Sequence, residues 1–467
     1  MGLLSICTLF KIFIRRDLAA KDVHFGGKDF RSRRCNFADE KIGIKMKRSI
    51  TGIITVLAAL MMFSEAGAQN LTSYKRMVKE LSSAKFQGRG YARNGVRKAG
   101  LFIEREFSAA GVDEIMLQPF KIDINTFPGK MNMTVDGKNL APGRDFTMRE
   151  YSPGVQGYYK LYYIDTLNFN PAKITEDLCR PANLGAFVVC DFEFTYRHKD
   201  VFKRLESRKC CQNSGMIYIW NEPLKFYKAY GEKVVEKPII WVSSDFPKNA
   251  RNVSLAIENE FLKGYTSNNV IAKVNGCRHD SCYVFTAHYD HLGNLGSKVF
   301  YPGANDNASG TAAIITLAEY YSSHRPKFDI YFIAFSGEDA NLRGSKWFTE
   351  HPVMPLESIK YLINIDMIGD NNPEMYCETS DTGTRGYEVF SQINDGGHFF
   401  KALKRGELAA NSDHYPFAAK GVPCIFFENE GGDAFKHYHT PQDNWQNAIF
   451  DIYEPLFKLI TEFIREY

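Results

Sequence analysis

The sequence contains no Cys-x-x-Cys pair, no uninterrupted apolar stretch of the roughly 20 residues a bilayer span needs, no internal repeat and no low-complexity tract. The first absence argues against a thiolate zinc knuckle, the second against a conventional membrane-spanning helix, and the last two against a repeat architecture or a disordered linker. A surplus of one charge is also missing. The chain has 58 Lys+Arg and 54 Asp+Glu, but the first 68 residues hold 12 and 6 of these, leaving 46 against 48. That balance leaves no basic stripe with which to neutralise phosphates, so no nucleic-acid partner is expected.

With 467 residues, 44% hydrophobic and 24% charged, the chain has room for one large domain plus an insert or a second, smaller domain. The start is different in kind. Lys47 and Arg48 precede an apolar run from Ile50 to Phe63 that ends in Ala66-Gly67-Ala68. A charged region, a short apolar region and an Ala-x-Ala site make a removable signal over 46–68, cleaved near Ala68. The spacing implies a natural start at Met46, a secreted or periplasmic product and no stable membrane anchor after removal; residues 1–68 are set aside from the fold. Ten cysteines are present, two of them in that segment. The remaining eight permit disulfides in an oxidising compartment, and Cys277 and Cys282, flanking Arg278-His279-Asp280-Ser281 between two strand-like runs, suggest a bridge across a hairpin.

Beyond the signal, Val96, Ala99, Ile103 and Phe107 share one face of a helix that Gly111 ends. From about 120 to 265 the texture is β-like, with runs such as Gly157–Ile164, Ala186–Cys190, Gly215–Trp220 and Lys237–Val242, and one helix expected over Lys203–Asn213. This block reads as an inserted β-rich accessory domain. From Asn269 onward strands and helices alternate: Val284–Ala287, Ile330–Phe335, Tyr361–Ile365 and Pro423–Phe427 are short apolar runs of a buried sheet, Thr311–Tyr321 is helical, and Ile452, Leu456, Leu459, Ile460 and Phe463 stripe a last helix. The expectation is a three-layer α/β/α domain with a mixed central sheet, formed by 69–119 and 266–467 around the insert 120–265.

Chemistry gathers where these strands end. Val284-Phe285-Thr286-Ala287 runs into His288-Tyr289-Asp290, Phe332–Phe335 into Ser336-Gly337-Glu338-Asp339, and Leu362–Ile365 into Asp366, while Gly303–Gly310 carries Asp306 into a helix. Taken alone, His288 is a satisfied polar residue, Asp306 a helix cap, Glu338-Asp339 a solvated turn. Together, several acids at the ends of burial-prone strands are costly unless a cation is bound. Nitrogen and carboxylate ligands without thiolates suit zinc, and also manganese or cobalt. Two ions about 3.5 to 4 Å apart need one bridging carboxylate, for which Asp306 is the candidate. Glu338 is placed to take a proton from a shared water, and Asp290, two residues from His288, to orient the imidazole.

These segments, with Leu342-Arg343-Gly344-Ser345, Asn364–Gly369, Ser412-Asp413-His414 and His439-Thr440-Pro441-Gln442-Asp443, resemble the ordered signatures of the co-catalytic zinc exopeptidase family that includes aminopeptidase Y, glutamate carboxypeptidase and glutaminyl cyclase, over about 269–445. The resemblance implies a phosphorylase/hydrolase-like fold and two Zn²⁺ per chain, one on His288 and Asp366, the other on Asp339 and His439, with Asp306 bridging. It implies Glu338 as general base and, as in some relatives, Tyr438 as donor to the developing oxyanion. The family position of Asp339 is commonly Glu, so the shorter side chain bears on the second metal's geometry. His437 and His439 compete for the last ligand; the His-Thr-x-x-Asp spacing favours His439. His414 lines the site or packs in the core. The block at 120–265 is similar to the protease-associated domain of many relatives.

The implied activity is hydrolysis at the N-terminus of peptide substrates. Glutaminyl-peptide cyclisation, carboxypeptidase or dipeptidase action and a receptor-like ectodomain without catalysis are the alternatives. The Leu342-Arg343-Gly344-Ser345 run looks more like the peptidases, and filled ligand positions argue against the receptor-like case. Nothing in the sequence sets the oligomeric state.

Overall fold

A computed structural model describes residues 70–207, 212–221, 224–226 and 232–467. The signal read over 46–68, the segment before it, and Cys210 and Cys211 lie outside the described residues. No described helix is long and apolar enough to cross a membrane.

Two eight-stranded sheets organise the chain. The strands of the first, in chain order, are β1 (Glu114–Thr126), β2 (Glu260–Val274), β3 (Arg278–His288), β4 (Phe328–Phe335), β5 (Ile359–Asp366), β6 (Glu374–Thr379), β7 (Ala402–Arg405) and β8 (Cys424–Glu428). Their spatial order is β1-β2-β4-β3-β5-β8-β6-β7. The central strands β4, β3, β5 and β8 are mutually parallel; β2 runs antiparallel to β4 and to β1, and β6 runs antiparallel to β8 but parallel to β7.

Side-chain alternation explains the layers. On one face Tyr283, Phe285, Phe332, Ala334, Tyr361 and Ile363 join a core with residues of helices Gly95–Ala109, Gly310–Ser323 and Tyr453–Glu466. On the other, Val284, Ile333, Phe335 and Leu362 pack with Phe348 and Phe417 of helices Arg343–Glu350 and His414–Ala418. Both faces are apolar because both are covered. The result is the expected α/β/α sandwich with a mixed sheet. Buried Val96, Ala99, Ile103 and Phe107 line the first helix as their spacing requires, and Gly111 follows its end at φ +77°.

The second sheet uses strands between Met131 and Ile257 and has its own cores on its two faces. It is entered and left through β1 and β2, which pair along their whole length; positions 120 and 265 fall within those strands. It is less purely β than its composition suggests, since helices Pro171–Cys179, Phe192–Arg197 and Lys199–Leu205 pack on it.

Two sequence expectations are corrected. Of the helix expected over Lys203–Asn213, positions 208–211 lie outside the described residues; the described helix is Lys199–Leu205, and Asn213 accepts a hydrogen bond from buried Lys237 (2.7 Å). Cys277 and Cys282 are both free, the first exposed and the second buried. The runs flanking them form no hairpin, because β4 lies between β2 and β3, and the chain at Arg278–Cys282 bulges in its pairing with β4.

Candidate metal centre

The parallel strands β4, β3, β5 and β8 direct their carboxyl ends to one edge. β3 is the switch point, with the next strand β4 on one side and β5 on the other, which is where open α/β sheets form a crevice. His288 is the last residue of β3, Asp366 the last of β5, and Glu338 and Asp339 follow β4. The structure brings these residues together with Asp306 and His439. Nε2 of His288 lies 3.2 Å from Asp306 Oδ1 and 3.3 Å from Asp366 Oδ1. Across Asp306, the Nε2 of His439 is 3.0 Å from Oδ2 and 3.8 Å from Asp339 Oδ1. All five residues are buried.

Asp306 owes its position to a heavily tied loop. The Asp306–Asn307 peptide is cis, and Gly303 stands at φ +59° where a Cβ would come within 2.1 Å of Asp306 O; only glycine tolerates both conditions. Asp306 does not cap the following helix. Its backbone N–H and that of Asn305 donate to the two oxygens of Asp443 (3.0 and 2.8 Å), and its carbonyl accepts from the guanidinium of Arg89 (2.9 Å). Fully buried Arg89 also donates to the carbonyls of Leu81, Tyr289, Pro302 and Gly303.

Glu338 projects beside this pair of half-sites, with Oε2 4.0 Å from His288 Nε2. Burial, reinforced by the charges of Asp339, Asp413 and Asp366 against the opposing His288, holds its carboxyl well above the ordinary range. The carboxylate of Asp290 accepts from Glu338 N–H (3.2 Å) and from Tyr91 O–H (2.9 Å). Its backbone carbonyl, 3.2 Å from His288 Nδ1, is the nearer partner of the imidazole, the carboxylate oxygen lying at 3.8 Å. Burial pushes Asp290 up to about 6 and Asp413 up to about 7.

Tyr438 is stacked on His439, ring centroids 3.7 Å apart, and Phe226 from the second-sheet segment donates its N–H to His439 O (3.1 Å). His439, not His437, stands with Asp306 and Asp339. His414 points away from the cluster: it stacks on Phe426 and its Nε2 lies 3.3 Å from Glu378.

Four residues of the site were not assigned roles by sequence reasoning. His291 is buried with Nδ1 3.1 Å from Asp339 Oδ2 and 3.6 Å from Asp306 Oδ2. Its signal was one more imidazole directly after His288-Tyr289-Asp290. Asp413 and Asp443 lay inside noted motifs without a function attached, and Arg89, held in a Gly-Arg-Gly setting about 200 residues from its partners, had no local signal.

The donor set fits a pair of cations. Asp290, Asp306, Glu338, Asp339, Asp366 and Asp413 gather around the imidazoles of His288, His291 and His439, and Arg89 is spent on backbone carbonyls. That much buried carboxylate is costly without further positive charge. His288, Asp306 and Asp339 offer donor atoms within 4.8 Å of one another. Hard oxygen with imidazole nitrogen and no thiolate is a zinc-competent set.

Comparison with known proteins agrees. Residues 269–464 match the model of peptidase family M28, the segment over which the motifs carry the resemblance to the co-catalytic zinc exopeptidases. Aminopeptidase YwaD of Bacillus subtilis is 30% identical over 210 residues, 43% of this chain and 45% of that protein. A probable zinc metalloprotease of Pyrenophora tritici-repentis is 32% identical over 250 residues, 43% and 51% of the two chains. The chain thus spans about half the length of these curated relatives. Among solved structures, a zinc aminopeptidase from Bacillus subtilis superposes with TM-score 0.66 at 20% identity, covering 85% of this chain and 95% of that one, and an aminopeptidase from an Aneurinibacillus strain with 0.61 at 19%, covering 85% and 93%. These superpositions establish the fold.

Proposed function

We propose that this chain is a zinc-dependent aminopeptidase that cleaves the N-terminal residue from peptides. The observation that supports this most is the pair of half-sites sharing Asp306, with Glu338 at their side. Two zinc ions held by His288, Asp306 and Asp366 and by Asp306, Asp339 and His439 would supply Lewis acidity to the scissile carbonyl and lower the pKa of an attacking water.

The remaining chemistry falls to side chains. Glu338 takes a proton from the water and returns it to the leaving amine, a task suited to a carboxylate standing beside both half-sites. Asp290 fixes Glu338 through its backbone N–H, and its main-chain carbonyl sets the tautomer of His288. The Tyr438 hydroxyl donates to the oxygen that gains negative charge. The excess of carboxylates favours a substrate that brings a positive charge, as a free α-amine does. We read 120–265 as an accessory segment that meets the site through Phe226, and 46–68 as an export signal.

Replacing Glu338 by Ala tests the assignment. Hydrolysis of amino-acyl chromogenic substrates should be lost while zinc content, measured by elemental analysis, stays at the wild-type level. Wild-type turnover in that variant overturns the assignment.

A further inference from the structure

We propose that His291 is a ligand of the second metal, occupying coordination space that the short side chain of Asp339 leaves open. The inference rests on the two-zinc reading above and goes beyond its five ligands.

Three observations carry it. His291 has no solvent exposure, and its Nδ1 faces the half-site formed by Asp306, Asp339 and His439, at 3.1 Å from Asp339 Oδ2 and 3.6 Å from Asp306 Oδ2. His439 approaches the same two carboxylates from its own side, at 3.0 and 3.8 Å. Donors bound to one tetrahedral zinc at about 2.0–2.2 Å lie about 3.3–3.6 Å from each other; the four separations scatter around that range. Second, the ring is held in place. The backbone N–H of His291 donates to Arg89 O (3.2 Å), fixing the main chain from which the ring projects, and a Cβ at Gly303 would stand 2.5 Å from His291 Cδ2, so glycine at 303 makes room for the imidazole beside the Asp306 loop. Third, Asp339 is one methylene shorter than glutamate, so its carboxylate cannot reach as far from the same backbone position. An imidazole beside it adds a protein donor without lengthening the side chain, and a zinc that expands to five-coordinate still keeps a place for water.

The alternative is that His291 only donates a hydrogen bond to Asp339. Metal binding separates the two without recourse to activity. In the wild type, X-ray absorption at the zinc edge should count three imidazoles per two zinc ions. Purified His291→Ala, titrated against a competing chelator, should retain the first zinc and bind the second at least about tenfold more weakly, and His291→Ala/Asp339→Glu should recover the second site. Two imidazoles per two zinc ions, or unchanged affinity for both zincs in His291→Ala, overturns the proposal. The absorption measurement needs no variant, so a substitution that fails to fold leaves the question decidable. A wild-type protein that binds fewer than two zinc ions instead overturns the two-zinc reading, and this inference with it.

Discussion

Both sheets place an acidic residue at the end of a parallel strand, and the two acids do opposite things. In the second sheet Asp191 closes strand Phe187–Asp191, is half-buried, and spends its carboxylate on the N–H groups of Glu193 and Phe194 and on Asn221. It is a helix cap, its charge satisfied by the first turn of Phe192–Arg197. In the first sheet Asp366 closes β5, is buried, and faces His288 in a cluster of further acids. The neighbours of Asp191 at the equivalent edge of the second sheet are aromatic: Phe192 leans on Trp220 (centroids 4.2 Å apart), which stacks on Trp241 (5.1 Å). Strand-end placement alone therefore does not make a ligand. What distinguishes Asp366 is burial among other carboxylates with no helix start to absorb its charge; the same architecture gathers acids at one sheet's edge and packs aromatics at the other's.

The comparison can be tested at graded cost. Glu338→Gln should lower kcat by about 10²- to 10⁴-fold, the range for loss of a general base, with the thermal melt unchanged; steady-state kinetics and calorimetry check the pair. Asp366→Asn should shed one zinc in a chelator titration. In the second sheet, Lys237→Met removes the donor to Leu205 O and Asn213 Oδ1 and should cost about 1–3 kcal/mol in urea denaturation while kcat of the folded fraction is preserved. Asp191→Ala should cost only about 1 kcal/mol; a loss of zinc there would break the distinction drawn between the two acids. The smallest effect concerns pH. Despite burial, Asp329 is held below its ordinary range by Gly276 N–H, His279 and Lys273. Its contribution is present above the unfolded carboxyl range and lost as pH falls through the lower folded value. Asp329→Asn should make the urea midpoint less sensitive to acidification, by less than about 1 kcal/mol.

The central strands were legible because apolar runs of four to eight residues have few other uses, and Phe285, Phe332 and Ile363 lie in the core accordingly. His288, Asp306, Asp339 and Asp366 were legible as strand-end or turn residues, whereas choosing His439 over His437 needed the family spacing. The tertiary ties were not legible. Arg89 reaches carbonyls more than 200 positions away, and such contacts leave no periodicity behind. The supposed hairpin at Cys277–Cys282 failed for the same reason: two adjacent strand signals say nothing about a third strand, β4, inserted between them from later in the chain. His291 was passed over because one imidazole in a run already containing His288 adds little local signal; only the approach of Asp339 from β4 gives it meaning.

The ladder between β1 and β2 runs from Glu114–Lys273 to Thr126–Glu260, so the chain leaves the sheet that carries the candidate metal centre and rejoins it on the same rung. In the vocabulary of gene rearrangement, everything between those two residues is a cassette with matched ends. It can be exchanged without rerouting any strand that carries a metal donor, and a tight turn in its place would close β1 and β2 as a simple hairpin. The constraint on a replacement is a socket: Leu292, Leu295 and Tyr301, now part of the second sheet's core, are apolar seats in the loop just ahead of Asp306 that any successor must cover.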